Sequence, residues 1–404
     1  MKKVLIIGSG KSGLAAEKLL KGKCETYIWD DNMPLDKRPC VEDFDEVLLS
    51  PGVPLTNPIA QEAKQLNKKI TGELEVAFEN TKASFVAITG TNGKTTTTAL
   101  VGEIFKAAGF DTRVVGNIGL PVSEEVMSAN DDTKLITEVS SFQLETISDF
   151  HAHISALLNI TPDHLDRHKT FENYASIKAR IANKQNENDF FVYNLEDPTC
   201  VRIAESLKGP KLVGFSSKIN HIDNIFIPGD HNMQNALAAL AIARCMGISD
   251  DISLKVIAEF KGVEHRIEFV RELDGVRYVN DSKGTNPDST IKAIEATAPG
   301  ILLIAGGYEK NLDFTELIQS FNGKVKKLLM LGEVGPRFAN KAIELGFNKD
   351  DIIFCKDMAE CVELGHKLAV KGDTVLLSPA SASWGMYKNF EERGKDFKNL
   401  VNKL

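Results

Sequence analysis

A glycine-rich loop set between a strand and a helix constrains this chain most. The loop is Thr89-Gly-Thr-Asn-Gly-Lys-Thr-Thr96. Before it, Ser84-Phe-Val-Ala-Ile88 reads as a buried β-strand; after it, Thr97-Thr-Ala-Leu-Val-Gly-Glu-Ile-Phe-Lys-Ala-Ala108 has helical spacing. Such a junction is where a phosphate cradle belongs, because glycines let backbone N–H groups approach phosphate oxygens and the helix N-terminus favours negative charge. Gly90, Thr91, Asn92, Gly93, Lys94, Thr95 and Thr96 are the expected ATP-binding residues, Lys94 for the β- and γ-phosphates and the Thr95 hydroxyl for Mg²⁺. The spacing departs from Gly-x-x-x-x-Gly-Lys-Ser/Thr: Ile88 stands where the first glycine belongs. A chance Gly-Lys-Thr turn is the plain alternative, and the flanking strand and helix weigh against it.

At 404 residues the chain is too long for one ordinary core and predicts two or three domains. Net charge is −8, without a basic tail or block, which argues against a general nucleic-acid binder. The six cysteines are scattered without a Cys-x-x-Cys pair, as reduced thiols are. The opening apolar run is too short for a signal-peptide core, and no long apolar stretch predicts a transmembrane helix. The expectation is a cytoplasmic enzyme with no membrane insertion, working as a monomer.

Three α/β blocks follow one another. The first, 1–82, has Val4-Leu-Ile-Ile7, then Gly8-Ser-Gly-Lys-Ser-Gly13, a helical stretch from Leu14, and a strand Glu25-Thr-Tyr-Ile-Trp29 ending at Asp30 and Asp31. This Gly-x-Gly-x-x-Gly pattern with a later acid predicts a Rossmann-like unit, and alone it suggests NAD. The second block, 83–262, carries the phosphate loop and further short apolar runs, as a mainly parallel sheet covered on both faces would. The third, 263–404, again alternates strands with helical stretches as a Rossmann-like unit does.

Several residues could carry chemistry. Glu138 ends a predicted strand and His164 lies in the loop after the next, so both could face the phosphate loop and a hard cation. Singly, each is as readily a surface acid or a capping residue. Lys178 falls on an apolar helical stripe with Phe171, Ala175 and Ala182. It is either a snorkelling side chain or a desolvated amine of depressed pKa, able to take up CO₂ as a carbamate. In the third block, Asn280-Asp-Ser-Lys-Gly-Thr-Asn-Pro287, Ala305-Gly-Gly-Tyr-Glu-Lys310 and Ser378-Pro-Ala-Ser-Ala-Ser-Trp384 each follow a strand, which argues for one site rather than three.

Along nearly its whole length the chain resembles the Mur ligase family. The resemblance rests on Gly90 to Thr95, Val139-Ser-Ser-Phe-Gln-Leu-Glu145, Asp163-His-Leu-Asp-Arg-His168, Tyr174 to Arg180, Asp230-His-Asn-Met-Gln-Asn235, Glu264-His-Arg266, Asp281-Ser-Lys-Gly-Thr-Asn286 and Ser378 to Ser383. The C-terminal Ser381-Ala-Ser-Trp-Gly-Met-Tyr-Lys-Asn-Phe-Glu-Glu-Arg-Gly394 is similar to that of the members taking D-glutamate. The resemblance implies an amide ligase that phosphorylates the carboxylate of UDP-N-acetylmuramoyl-L-alanine with ATP and lets the D-glutamate amine displace phosphate, in peptidoglycan precursor synthesis. By matching, Lys94, Glu138, His164, Lys178 and Arg266 would be catalytic. Thr95 and Glu138 would serve one Mg²⁺, and His164 with a carbamylated Lys178 a second. Asn232, Asn235, Arg266 and Asp281 would hold the adenine nucleotide, and Lys283, Thr285, Lys310, Ser383 and Phe390 would surround D-glutamate. The first block would then bind UDP rather than NAD, through Lys11, Ser12, Asp30, Asp31, Ser50 and Gly52, with Asn117 also on the substrate. An arginine expected near Asp31 is replaced by Asn32, and Lys11 would supply the missing charge.

Three other readings compete. Another carboxylate–amine ligase of this kind would take a different amino acid or a folate substrate, and the folylpolyglutamate-like ligases lack the Rossmann-like first block. An NAD-dependent oxidoreductase would leave the phosphate loop, Lys178 and the third block without a role. A catalytically silent nucleotide-binding protein would bind ATP without turnover.

Overall fold

The computed structural model describes residues 1–34, 38–223, 225–226, 229–309 and 312–404. The chain divides into two compact units, Met1–Phe260 and Lys261–Leu404. Among the described residues there are three sheets, two in the first unit and one in the second. In the first unit, β1 (Lys3–Ile7), β2 (Glu25–Trp29), β3 (Glu46–Leu49) and β4 (Lys69–Gly72) form a parallel sheet of order β2-β1-β3-β4. Its second sheet contains β5 (Ser84–Thr89), β6 (Thr112–Gly116), β7 (Lys134–Glu138), β8 (Ile154–Leu157), β9 (Phe190–Asn194) and β10 (Lys211–Phe215), all parallel, in the order β10-β9-β8-β5-β7-β6.

Strand periodicity explains why this sheet lies inside. Along β5, Phe85 and Ala87 point into one apolar cluster and Val86 and Ile88 into another. A strand buried on both faces has to read as a continuous apolar run. Leu100, Val101, Ile104 and Phe105 of the helix Lys94–Ala107 cover one face. Tyr174 and Ala175 of the helix Phe171–Ala179 belong to the cluster on the other, which also takes in Val4, Ile6 and Leu48 of the first sheet. The two sheets thus share one core, which is why they form a single compact unit although the sequence divides into blocks there.

The second unit has β11 (Glu268–Leu273), β12 (Val276–Asn280), β13 (Ile301–Gly306), β14 (Val325–Leu331), β15 (Ile352–Phe354) and β16 (Thr374–Leu377), in the order β11-β12-β16-β13-β14-β15. The β11–β12 hairpin is antiparallel and the remaining pairs are parallel. Ile301, Leu303 and Ala305 of β13 face one cluster, and Leu302 and Ile304 the other.

Two helix starts come earlier than the sequence spacing predicts. The phosphate-loop helix begins at Lys94, and the first helix at Lys11 rather than Leu14. Lys11, Ser12 and Gly13 therefore occupy a helical turn. Gly13 serves packing there, since a Cβ on it would lie 2.0 Å from the Gly8 carbonyl oxygen.

Candidate active site

In the first unit the site forms where β5, β7 and β8 end. These strands are neighbours, so the loops that follow them converge. The phosphate loop after β5 is tied to the segment after β8: Thr91 N–H donates to the Asn159 carbonyl at 2.9 Å, and Asn92 N–H to Asn159 Oδ1 at 2.8 Å. The Thr91 hydroxyl receives the Thr161 N–H at 3.0 Å and lies 3.2 Å from the Tyr174 hydroxyl. Lys94 curls over the loop, its Nζ donating to the carbonyls of Gly90 and Thr91 at 2.9 and 2.7 Å.

Gly93 caps the following helix with φ +80°, and its missing side chain is occupied space: a Cβ would stand 2.2 Å from Asn235 Oδ1. Asn235 also accepts from the Thr97 hydroxyl at 3.3 Å. Thr96, Asn232 and Asn235 line one crevice with Leu100, Ile225 and Phe260 beside the loop, which joins the expected phosphate and adenine residues of this unit.

Glu138, the last residue of β7, is 1% exposed. Its Oε1 accepts from Asn117 Nδ2 at 2.8 Å, while its buried Oε2 has no hydrogen-bond partner. A buried carboxylate oxygen left unpaired next to a phosphate loop fits a cation ligand. Thr95, buried in the first turn of the phosphate-loop helix, is the hydroxyl to go with it. Among the described residues, no three His, Cys, Asp or Glu side chains come together as a ready-made cage. Mg²⁺ suits that situation, because it is held by one or two protein oxygens plus water and substrate phosphates.

Lys178 is 1% exposed. Its Nζ donates to the Gly90 carbonyl at 2.8 Å and lies 4.7 Å from the Tyr174 ring centre. Burial, reinforced by the Lys94 ammonium, holds its amine well below the usual lysine value, against a smaller opposing pull from Asp163 and Glu138. Burial likewise pushes Tyr174 up to about 12. His164, in the left-handed region at φ +51°, is about half exposed and packs its ring 4.9 Å from that of Phe142. Both His164 and Lys178 lie against Tyr174.

In the first sheet, Asp30 accepts from the Ser9 N–H and hydroxyl, each at 2.8 Å, and from Asn32. The Ser9 N–H is the main cause holding its carboxyl below the ordinary value. Its two oxygens are thus held by Ser9 and Asn32 of its own chain. Asp31 receives Asn57 Nδ2 at 3.4 Å, and Ser50 donates to the Gly8 carbonyl at 3.1 Å. Gly52 lies in the turn after Ser50, while Lys11 is exposed at the helix start.

In the second unit, β12, β16 and β13 are neighbours, and the loops after them are laced together. Asp281 Oδ2 accepts from the Ser378 hydroxyl at 2.6 Å, the Gly306 N–H donates to the Pro379 carbonyl at 2.8 Å, and the Tyr308 N–H to the Ala382 carbonyl at 2.9 Å. Burial raises the Asp281 carboxyl to about 6, against the lowering hydrogen bond from Ser378. Arg266 is half-buried and exerts a stronger lowering pull on Asp281 than Arg393 does. Lys283 and Thr285 are half-buried in the loop after β12, Ser383 is buried, and Phe390 packs edge-on to His265. Lys310 lies outside the described residues.

Sequence reasoning gave no role to Arg393, which organises this end of the sheet. It is 2% exposed, and its guanidinium donates to the Ser282 hydroxyl at 3.0 Å, the Ser282 carbonyl at 2.8 Å and the Ser381 carbonyl at 3.1 Å. Nor did it single out Asn159, although a polar residue at the C-terminal end of a buried strand was the available signal.

A parallel sheet with a phosphate loop at its strand ends, followed by a separate α/β unit, defines a nucleotide-dependent enzyme. The chain belongs to the Mur ligase family. It matches the Mur ligase middle domain over residues 88–226 and the glutamate ligase domain of Mur ligases over residues 265–381. It is 44% identical, over 447 aligned positions covering 100% of this chain and 98% of the relative, to a UDP-N-acetylmuramoylalanine–D-glutamate ligase of Thermoanaerobacter sp. (strain X514). The protein of the same name from Clostridioides difficile (strain 630) is also 44% identical, with 100% and 99% covered. Among solved structures, the UDP-N-acetylmuramate-alanine ligase MurC of Thermotoga maritima shares the fold with a TM-score of 0.59 at 18% identity, covering 100% of both chains. MurF of Acinetobacter baumannii does so with a TM-score of 0.59 at 17% identity, covering 81% of this chain and 79% of its own.

Proposed function

We propose that this enzyme joins D-glutamate to UDP-N-acetylmuramoyl-L-alanine at the expense of ATP, in peptidoglycan precursor synthesis. The carrying observation is the full-length likeness to ligases named for that reaction, in which both units take part. In the reaction a substrate carboxylate oxygen attacks the γ-phosphorus of ATP, ADP leaves, and an acyl phosphate forms. The D-glutamate amine then attacks the acyl carbon, loses a proton, and phosphate departs with its C–O bonding pair. Both steps need in-line positioning and neutralised phosphate charge.

The backbone N–H groups from Gly90 to Thr95 and the Lys94 ammonium bind the phosphates. Asn232, Asn235 and Thr96, on the crevice beside that loop, take the adenosine end; Arg266 and Asp281 are the nucleotide-binding residues of the second unit. Thr95 and Glu138 would hold Mg²⁺, and His164 with Lys178 a second ion; when bound, such ions would neutralise phosphate charge. Lys178 acts as a carbamate: its amine nitrogen bonds the carbon of CO₂ and a proton passes to water, giving an anion. What supports this is an amine buried at the phosphate loop, where burial and the Lys94 ammonium disfavour its charged form. Asn117, Lys11, Ser12, Asp30, Asp31, Ser50 and Gly52 receive the UDP substrate. Lys283, Thr285, Lys310, Ser383 and Phe390 receive D-glutamate.

The three blocks serve as three functional modules, 1–82 for the UDP substrate, 83–262 for ATP and 263–404 for the amino acid, the first two sharing one core; the enzyme works as a cytoplasmic monomer. Nucleotide-linked substrates and free cysteines suit that compartment. Among the described residues, no helix is long and apolar enough to cross a membrane.

The test is phosphate release with ATP, Mg²⁺ and UDP-N-acetylmuramoyl-L-alanine, adding D-glutamate, L-glutamate, L-lysine or meso-diaminopimelate separately. Release only with D-glutamate, with a product heavier by one glutamyl residue, is expected. Release with another amine overturns the amino-acid assignment, and no release with any overturns the acid substrate.

A further inference from the structure

Two sequence motifs in the first unit meet at a residue that the reaction scheme leaves without a role. Arg167 belongs to Asp163-His-Leu-Asp-Arg-His168 and Glu145 to Val139-Ser-Ser-Phe-Gln-Leu-Glu145. The Arg167 side chain is 13% exposed and that of Glu145 7%. Arg167 Nε donates to Glu145 at 3.0 Å, and its Nη2 to the other carboxylate oxygen at 2.5 Å, a bidentate fork. The remaining donors reach out of the second sheet's loops altogether. Nη1 meets the Pro51 carbonyl at 3.2 Å and Nη2 the Val53 carbonyl at 3.3 Å. The guanidinium also lies 4.0 Å over the Phe142 ring, the same ring that packs His164.

Pro51 and Val53 flank Gly52 in the turn after β3. Ser50, at the head of that turn, donates to the Gly8 carbonyl in the first sheet's glycine loop. A continuous set of contacts thus runs from that glycine loop through the Ser50–Val53 turn and Arg167 to Phe142 and His164. A surface ion pair would be worth little, but a nearly buried fork that also satisfies two loop carbonyls fixes geometry.

We infer that Arg167 is a positioning residue that locks the Ser50–Val53 turn onto the His164 loop, and so sets the placement of the UDP-linked acid relative to the phosphate loop. This rests on the proposed assignment of the Ser50–Gly52 turn to that substrate. Arginine is required over lysine, because an ammonium cannot hold Glu145 and two carbonyls from one planar group.

Arg167→Lys, Arg167→Ala and Glu145→Gln test it, with unfolding midpoints measured alongside. Calorimetric titration of each variant with UDP-N-acetylmuramoyl-L-alanine, and separately with a non-hydrolysable ATP analogue, gives a readout that does not need turnover. For Arg167→Lys, a folded protein is expected whose affinity for the UDP-linked acid, and the corresponding KM, worsen by roughly tenfold or more while ATP-analogue binding changes by less than about twofold. Glu145→Gln is expected to shift in the same direction by less. Equal weakening of both ligands, or unchanged binding of the UDP-linked acid by Arg167→Lys, overturns the inference. Failure of the wild-type protein to bind the UDP-linked acid overturns instead the substrate reading on which it rests.

Discussion

Lys178 Nζ lies 2.8 Å from the Gly90 carbonyl oxygen, so a buried amine supports the phosphate loop from a helix 88 residues further along the chain. The hydrogen bond satisfies one N–H, and the surroundings do the rest: burial first, then Lys94, disfavour the ammonium. An amine in that state is both a nucleophile towards CO₂ and a cost to stability at low pH.

The stability consequence has a definite sign. The folded value is depressed below 10.5, so between that value and 10.5 the unfolded chain binds more protons. Stability from this residue therefore rises with pH through that window and is flat below it. Urea unfolding of wild type and Lys178→Met in CO₂-free buffer, from about pH 7 to about pH 10, should show the wild type gaining on the variant as pH rises. Parallel profiles would mean that the amine is not perturbed. Activity of the variant should fall by about a hundredfold, as loss of a metal-site partner does.

Glu138→Gln should separate activity from stability. Asn117 keeps an oxygen to donate to, while the partnerless Oε2 is replaced. Removing an uncompensated buried carboxylate should leave stability unchanged or raise it by about 1 kcal/mol. The Mg²⁺ concentration for half-maximal phosphate release should rise by roughly tenfold or more. An unchanged Mg²⁺ requirement would remove Glu138 from the cation site.

How much of this was legible in the sequence depended on range. The strand Ser84–Ile88, the loop after it and Glu138 at a strand end are local patterns, and the structure has them within a residue or a helical turn. That the loops after β12, β16 and β13 lie together was also readable, because glycines and hydroxyls at strand ends converge in a parallel sheet. Arg167 and Arg393 were not readable as anchors. Their partners lie up to 116 and 111 residues away, and nothing local distinguishes a buried arginine from a surface one. Nor does periodicity show that two sheets share one core. Val4, Ile6 and Phe85 look like interior residues of any strand, and only the fold puts them in one cluster. For Lys178 the spacing favoured a snorkelling side chain over a buried amine, and its burial became visible only in the packing around Tyr174.

Gly93 is held to glycine twice over, by φ +80° and by Asn235 Oδ1 at 2.2 Å from its absent Cβ. Gly93→Ala should cost about 1–3 kcal/mol in unfolding free energy and raise the KM for ATP by at least about tenfold. Asn235→Ala removes the steric part and leaves the dihedral strain. The double variant should therefore be less destabilised than the sum of the two single changes in a mutant cycle. Strict additivity would show that the close approach carries no energy.

Asp281 gives the opposite pH dependence to Lys178. Its folded value is raised from 3.8 to about 6 by burial, so between those values the native state binds more protons than the unfolded chain. Its stabilising effect is complete below 3.8 and is lost as pH rises through about 6. Asp281→Asn cannot ionise. From about pH 4 to about pH 7, wild-type stability should therefore fall relative to that variant by on the order of 3 kcal/mol. The ionised carboxylate is still the form expected at neutral pH, because the Ser378 hydroxyl donates to it at 2.6 Å and Arg266 stands in its field. A carboxylate kept at this energetic cost points to use by the nucleotide or the amine rather than by the fold, so Asp281→Asn should be at least as stable as wild type at pH ~7 and yet raise the KM for ATP by about tenfold. If the variant instead unfolds more readily at that pH and, once folded, turns over normally, Asp281 is a structural residue of the β12–β16 junction.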